Sequence, residues 1–170
     1  MNNLRALTGV VIDPGHGGID GGSISNEGVY EKTVVLSIGH FLKEYLELNG
    51  YEVMMTRLGD YDLADLKSTN RKRDDILRRV EMINKSNCDV TISIHANAFP
   101  NKNIKGAQCF YNDSSCESKL LSDYIQKRLN ECLKNDRISM GIKNKYILDN
   151  VIYPIVLIEV GFLSNKDDAN

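Results

Sequence analysis

Short β-branched runs alternate along the chain with longer segments whose apolar residues recur at helical spacing. Residues 8–12 form the first such run, which stops at Asp13-Pro14-Gly15, where proline removes a backbone donor and glycine permits a sharp turn. This pattern predicts a buried first strand that leads into a glycine-rich loop. A segment with helical periodicity then ends at Asn49-Gly50, which predicts a first helix beginning at Glu31. Its apolar positions are Val34, Val35, Ile38, Phe41, Leu42, Tyr45 and Leu48.

The middle of the chain repeats this alternation of strand and helix patterns. Residues 52–56 predict a second strand, residues 58–73 an irregular polar excursion and residues 74–86 a second helix. The apolar positions that we expect this helix to turn inward are Ile76, Leu77, Val80 and Ile83. Residues 90–94 are nearly all β-branched and predict a third buried strand, so the order of the elements favours βαβ units.

The last third of the chain completes a predicted α/β sandwich. Residues 108–111 predict a short strand, residues 115–133 a helix, residues 146–148 an edge strand and residues 155–160 a final core strand. Together the elements predict one domain over residues 1–170, in which helices pack on a largely parallel sheet. Ligands of such sheets collect outside the carboxyl ends of the strands, so polar residues at those ends are candidates for a site.

The composition is that of an ordinary globular domain and argues against several other classes. Of the 170 residues, 42% are hydrophobic and 26% are charged. A net charge of −2 and a pI near 5.9 create no basic field that would recruit nucleic acid. No stretch approaches the ~20 apolar residues of a membrane span, and residues 1–8 lack the features of a signal peptide. We therefore expect no nucleic-acid partner, no membrane span in the chain, and a native leader or anchor missing from it.

The cysteines form neither a CxxC pair nor the paired clusters of a structural zinc site. A chain of this length does not need disulfides for stability, so disulfides and the redox compartment both stay open. We interpret as packing or surface thiols all four cysteines: Cys88, Cys109, Cys116 and Cys132.

Polar residues at the ends of predicted elements form a candidate metal site. His16 follows the first strand in the glycine-rich loop, Glu31 begins the first helix, and His95 follows the third strand. A catalytic zinc site needs about three ligands of these types and an open position for water. Each residue also has a plainer interpretation, as a turn histidine, an acid that complements the helix dipole, and a hydrogen-bonded core histidine. His40, inside the first helix, is interpreted as structural.

Glu159 is a further candidate, because it ends an apolar run at residues 155–158 where an acid is rarely buried without a partner. It either pairs with a cation or takes part in chemistry. Beside zinc, it could act as the general base toward water and then as the acid that protonates a leaving amine.

The glycine-rich loop also has to be considered as a phosphate cradle. It lacks the GKS or GKT ending of a P-loop, and Asp20 occupies the third glycine position of GxGxxG. Nucleotide binding is therefore disfavoured.

At these residues the sequence resembles the zinc-dependent N-acetylmuramoyl-L-alanine amidase family of bacterial cell-wall hydrolases. Residues 11–18 (VIDPGHGG) resemble its first-ligand motif, residues 30–32 its second-ligand position and residues 93–98 (SIHANA) its third. Residues 157–165 resemble its terminal signature around a catalytic glutamate. The four motifs occur in order and cover nearly the whole chain. Other residues that fall where the family has them are Thr56, Arg57, Arg79, Asn84 and Gly106.

The resemblance implies a single α/β domain with a mixed, mostly parallel sheet flanked by helices on both faces. It implies Zn²⁺ held by His16, Glu31 and His95, Glu159 as the catalytic acid and base, and Asn97 as a residue of the substrate groove. The expected reaction cleaves the amide between N-acetylmuramic acid and L-alanine in peptidoglycan, in the cell envelope and with a possible envelope activator protein as partner. Another zinc peptidase or deacylase, or a non-catalytic peptidoglycan-binding module, stays as an alternative.

Three departures from the family pattern bear on the biology. The segment between Arg57 and Arg79 carries more polar residues than many members have and resembles the spore-cortex amidases, which implies a role in sporulation. Asp149 stands where many members have arginine, so we expect contacts with the substrate's carboxylates to differ. The chain ends at Asn170, in the polar start of the family's last helix, and we expect some native sequence to follow.

Overall fold

The computed structural model describes residues 9–169 and contains a six-stranded sheet in the order β2-β1-β3-β6-β4-β5. The strands are β1 (Gly9–Pro14), β2 (Glu52–Met55), β3 (Val90–Asn97), β4 (Gln108–Asn112), β5 (Met140–Ile142) and β6 (Ile155–Phe162). The helices are α1 (Glu31–Leu48), α2 (Arg71–Lys85), α3 (Cys116–Leu133), α4 (Tyr146–Asn150) and α5 (Lys166–Ala169). The expected α/β fold is confirmed.

The sheet is mixed but mostly parallel, as expected. Strands β2, β1, β3 and β6 run in one direction, whereas β4 is antiparallel to β6 and β5 is parallel to β4. The carboxyl ends of β1, β3 and β6 therefore meet at one edge. The register places Asp13 opposite Ser93 and His95 opposite Glu159, with an irregularity between His95 and Asn97.

Helices cover both faces of the sheet, because successive strand residues point to opposite sides. Val11 and Leu157 belong to a core cluster with residues of α2 and α4. Val10 and Ile12 instead pack with α1, and Val156 packs with α3. The two faces together bury the central strands, as a parallel sheet requires.

The prediction of an edge strand at residues 146–148 is wrong, since these residues begin α4. Ile147 and Leu148 are adjacent yet both buried in one cluster, which a helix allows and the alternating faces of a strand do not. A three-residue apolar run is compatible with either element. The edge strand is instead β5, whose triplet Met-Gly-Ile carries little strand signal.

The apolar faces of two helices also differ from expectation. In α1, Phe41, Tyr45 and Leu48 are exposed, although they recur at helical spacing. The side that packs on the sheet is centred on Val35 and Gly39. Because apolar residues occur on more than one side of the helix, their spacing alone does not reveal this buried side. In α2, Leu77 was expected inward but is 38% exposed.

The starts of the first two long helices compare differently with the prediction. Helix α1 begins at Glu31 as predicted. Helix α2 begins three residues before the predicted start, because the Asn70 side chain caps it by accepting a hydrogen bond from the Arg73 amide at 3.2 Å. Its first turn is entirely polar, so apolar periodicity could not reveal it. Thr8, which the predicted first strand included, lies outside the described residues.

The helices within residues 9–169 are too short or too polar for any of them to cross a bilayer.

The cysteines are free thiols: Cys88 and Cys109 are buried, and Cys116 and Cys132 are exposed. They therefore occupy packing and surface positions, as interpreted from the sequence.

Candidate active site

Three side chains from separate elements meet at the carboxyl edge of the sheet. His16 lies in the loop after β1, Glu31 opens α1, and His95 lies near the end of β3. One nitrogen or oxygen atom from each lies within 4.8 Å of the others. Glu31 Oε1 is 3.1 Å from His16 Nε2 and 3.0 Å from His95 Nδ1. Two imidazoles and a carboxylate are ligands that zinc and similar ions take, so this group could hold a metal ion.

Glu31 is held rigidly in this cluster. Its Oε2 accepts a hydrogen bond from the Ser23 amide at 2.8 Å, and its Oε1 accepts one from the Ala96 amide at 3.0 Å. Burial by itself raises the pKa of Glu31, but hydrogen bonds with His16, His95 and the two amides outweigh burial and hold the pKa well below its usual range. The carboxylate is therefore ionised at neutral pH, as a metal ligand must be.

His16 is held by the backbone of its loop. Its φ of 60° lies in the left-handed region that few non-glycine residues adopt. Arg79 Nη2 donates to its carbonyl at 2.6 Å, and its ring Nδ1 lies 3.0 Å from Asp20 Oδ2. Burial lowers the pKa of His16, but the contacts with Glu31 and Asp20 outweigh burial and raise it. A bound cation would compete with that proton.

Two glycines make room for these rings. A side chain at Gly15 would collide with the imidazole of His95. Gly22 has a φ of 68°, and a side chain there would collide with Glu31 and with His16. The glycine-rich loop thus packs directly on the cluster, which explains its composition better than a phosphate cradle does.

Two buried arginines support the same loop from beneath. Arg57 donates to the carbonyls of Pro14 at 3.0 Å and Gly15 at 2.8 Å. Arg79 donates to Asp13 Oδ1 at 2.8 Å and to the carbonyl of Pro14 at 2.7 Å. Each guanidinium donates to carbonyls at the end of β1 and in the loop that follows it, so the arginines define the path of the loop.

From the sequence, these arginines are recognisable only as positions shared with the family, without a role. A signal was present for Arg79, which lies on the same helical face as Ile76, Val80 and Ile83. A cation on an inward face implies a buried acceptor. No comparable signal marks Arg57, which follows β2 in an irregular segment.

Glu159 lies beside the cluster, opposite His95 in the register of β3 and β6. Its side chain is largely buried, and among the residues described its Oε2 has no hydrogen-bond partner. Burial raises the pKa of this carboxyl above its usual range, although the charge of His95 opposes the shift. A carboxyl with one buried oxygen that lacks a partner, beside residues that could bind a metal, is suited to accepting and returning a proton.

The remaining predicted site residues lie at different distances from the cluster. Asn97 ends β3 at the same edge, and its Oδ1 accepts from the Ala98 amide at 2.8 Å; its contact with substrate stays a prediction. His40 is exposed on α1, with its Nε2 3.2 Å from the carbonyl oxygen of Leu58. Neither residue belongs to the group that could hold a metal.

Asp149 lies away from the cluster. Its Oδ1 accepts from Asn112 Nδ2 at 2.9 Å, at the end of β4. Gln108, at the start of β4, is the residue in register with Glu159. The aspartate that departs from the family pattern therefore packs at the opposite end of that strand.

Within this α/β fold, a group that could hold a metal ion lies beside a carboxyl that could move a proton, which suits metal-assisted hydrolysis. Residues 10–170 match the family described as N-acetylmuramoyl-L-alanine amidase, and the chain belongs to this family. The resemblance seen in the sequence is confirmed.

Individual relatives agree with this assignment. A germination-specific N-acetylmuramoyl-L-alanine amidase of Bacillus subtilis (strain 168) is 41% identical, over 94% of this chain and 69% of the relative. The CwlD amidase from Clostridioides difficile, solved in complex with the GerS lipoprotein, has a TM-score of 0.89 at 36% identity, over 94% of this chain and 85% of that one. An amidase from Clostridium difficile 630 has a TM-score of 0.84 at 28% identity, over 97% and 85%. The chain is therefore an enzyme that acts on peptidoglycan.

Proposed function

We propose that the protein is a zinc-dependent amidase that cleaves the bond between N-acetylmuramic acid and the L-alanine of the stem peptide. The observation that carries the proposal is the convergence of His16, Glu31 and His95, whose donor atoms lie within 4.8 Å of one another. Nitrogen and carboxylate oxygen donors without thiolates are typical of catalytic zinc sites. When bound, zinc supplies polarisation of the scissile carbonyl and activation of water near neutral pH.

Glu159 moves the proton in the proposed reaction. Its buried carboxyl, in register with His95, takes a proton from the attacking water and returns it to the departing nitrogen. The water oxygen forms a bond to the carbonyl carbon and the carbon–nitrogen bond breaks. The products are a lactyl carboxylate on the glycan and a stem peptide with a free amino terminus. Asn97, at the same edge, is proposed to contact the substrate.

Mass spectrometry of the products from purified peptidoglycan tests this function. The zinc-loaded protein should release intact stem peptides that begin with a free L-alanine amine. The His95→Ala protein serves as the matched control and should release none above background. Fragments cut inside the peptide or the glycan would instead favour a zinc peptidase or another hydrolase, and would overturn the proposal.

We further propose that the chain forms one catalytic domain that acts in the cell envelope on the spore cortex, assisted by an envelope activator. The germination-specific relative and the polar segment between Arg57 and Arg79 support the cortex. The solved complex of CwlD with a lipoprotein supports an activator. A gene deletion tests the location. The measured quantity is the number of stem peptides removed from the cortex and from the vegetative wall, with and without the gene. An unchanged cortex would overturn it.

A further inference from the structure

The ring of His16 has a second polar neighbour on the side away from the metal-binding cluster. Its Nε2 faces Glu31 Oε1 at 3.1 Å, whereas its Nδ1 lies 3.0 Å from Asp20 Oδ2. A neutral imidazole carries its proton on one nitrogen and a lone pair on the other. A carboxylate beside Nδ1 accepts that proton in a hydrogen bond, so the lone pair stays on Nε2, which faces the cluster.

Asp20 is itself fixed in place. Its amide donates to the Gly17 carbonyl at 3.1 Å, and its carbonyl accepts from the Gly17 amide at 3.0 Å. Its two carboxylate oxygens are divided between partners. Oδ2 faces His16, while Oδ1 pairs with Lys72 Nζ at 2.9 Å and accepts from the Gly22 amide at 3.4 Å. The carboxylate therefore cannot turn away from His16 without losing several contacts.

His16 needs such support more than the other two members of the cluster. Glu31 is anchored by α1 and two backbone amides, and His95 extends from β3. His16 lies in an irregular loop with a left-handed φ of 60°, and its side chain is 22% exposed. Outside the cluster, Asp20 is the residue within the described range 9–169 whose side chain makes a hydrogen bond with this ring.

We propose that Asp20 is a positioning residue that orients the His16 ring and sets the tautomer in which Nε2 binds the metal. Lys72, whose side chain is 73% exposed, pairs with the far oxygen of that carboxylate at the surface and does not touch the histidine. This inference rests on the proposed function in so far as it assumes a metal at the cluster. Removal of an outer carboxylate that supports a histidine ligand typically weakens metal affinity about 10–100-fold.

Zinc dissociation constants of full-chain variants, measured by competition with a chromophoric chelator, test the proposal. Asp20→Ala should bind zinc about 10–100-fold more weakly than the wild type. Asp20→Asn should lie between them, because its amide oxygen still accepts from Nδ1 but carries no charge. Lys72→Ala is the matched control and should change affinity by less than about fivefold, the range of an exposed ion pair.

The outcomes separate a role in positioning from a role in folding. Melting temperatures of the chelated proteins show whether each variant folds. If Asp20 orients the ring, Asp20→Asn should bind zinc more tightly than Asp20→Ala does. Loss of a surface ion pair would not produce this difference. Equal losses in Asp20→Ala and Lys72→Ala would overturn the proposal, as would wild-type affinity in Asp20→Ala. If the wild type bound no zinc, the proposed metal site would fail together with this inference.

Discussion

At Glu31 one oxygen, Oε1, contacts both imidazoles and the Ala96 amide. The other oxygen ties the carboxylate to Ser23 in the loop before α1. A single side chain thus joins the strand, the helix and the loop that supply the cluster. At the residue scale, the proposed chemistry depends on which of these groups bind metal and which only move protons.

The first prediction concerns the ligands. Replacing His95 with alanine removes one of three donors, so zinc content should fall strongly relative to the wild type. Elemental analysis of the purified protein measures this. His40→Ala, which changes an exposed histidine outside the cluster, is the control and should retain full zinc. Full zinc in the His95→Ala protein would show that the proposed coordination is wrong. In addition, a chelator should inactivate the wild type, and added zinc should restore its activity.

The second prediction separates chemistry from binding at Glu159. Glutamine has nearly the same shape but cannot accept the proton of water, so Glu159→Gln should keep its zinc while turnover falls about 10²–10⁴-fold. Zinc occupancy, melting temperature and amidase rate are measured on this one variant. The unpaired Oε2 predicts no loss of melting temperature. Retained activity with bound zinc would contradict the catalytic role.

At the scale of elements, α2 supports the loop after β1 through one buried side chain. Arg79 pairs with Asp13 Oδ1 at 2.8 Å and with Asp75 Oδ2 at 2.8 Å, and it also donates to the carbonyls of Pro14 and His16. Removing the guanidinium takes a hydrogen bond from Asp75 Oδ2 and from the His16 carbonyl and takes the paired cation from Asp13. Asp13 Oδ1 and the Pro14 carbonyl keep other donors. Buried charges and carbonyls without partners are costly, so this contact should matter more than any exposed ion pair of the same helix.

The third prediction follows from that contrast. Arg79→Met should lower the free energy of unfolding by about 3–5 kcal/mol, since it leaves Asp13 as a buried charge without its cation. The neighbouring Arg78, which makes exposed pairs with Asp74 and Asp65, provides the control. Arg78→Met should cost no more than about 1 kcal/mol. Denaturant unfolding of the chelated proteins measures both, and equal costs would refute the supporting role of Arg79.

The elements also show which parts of the fold the local sequence pattern predicts. The strands β1, β3 and β6 were predicted because β-branched runs end abruptly at polar residues. The assignment of residues 146–148 failed because a short apolar run does not reveal its period, and only packing against α2 decides for a helix. The prediction of the buried face of α1 was wrong for a related reason, because apolar residues occur on more than one side of this helix.

At the scale of the whole molecule, the central strands enclose a buried charge that links stability to pH. Burial raises the pKa of Asp13, but the Arg79 guanidinium and hydrogen bonds from Thr56, Arg79 and Ser93 outweigh burial and lower it. The folded state therefore binds a proton at this carboxyl less readily than the unfolded state does. Stability from this group is fully present above the unfolded pKa near 3.8 and is lost as pH falls through the lower folded pKa.

The fourth prediction is that the free energy of unfolding falls as the chelated protein is taken from about pH 6 to about pH 3. Asp13→Asn has no titrating group at this position, so its stability should depend less on pH over the same range, although it is lower at neutral pH. Urea unfolding at each pH measures both proteins. Parallel pH profiles for the two would show that Asp13 does not contribute to the acid sensitivity.

The sequence by itself determined the family, the α/β class and the identity of the residues at the cluster, because these depend on local features. A β-branched run that stops at a histidine or glutamate predicts both a strand and the side chain at its end. The tertiary structure alone decided the order of the strands, the register that sets Glu159 beside His95, and the support of His16 by Asp20 and Arg79. Those contacts join segments far apart in the chain or depend on an irregular loop, and hydrophobic periodicity carries no information about either.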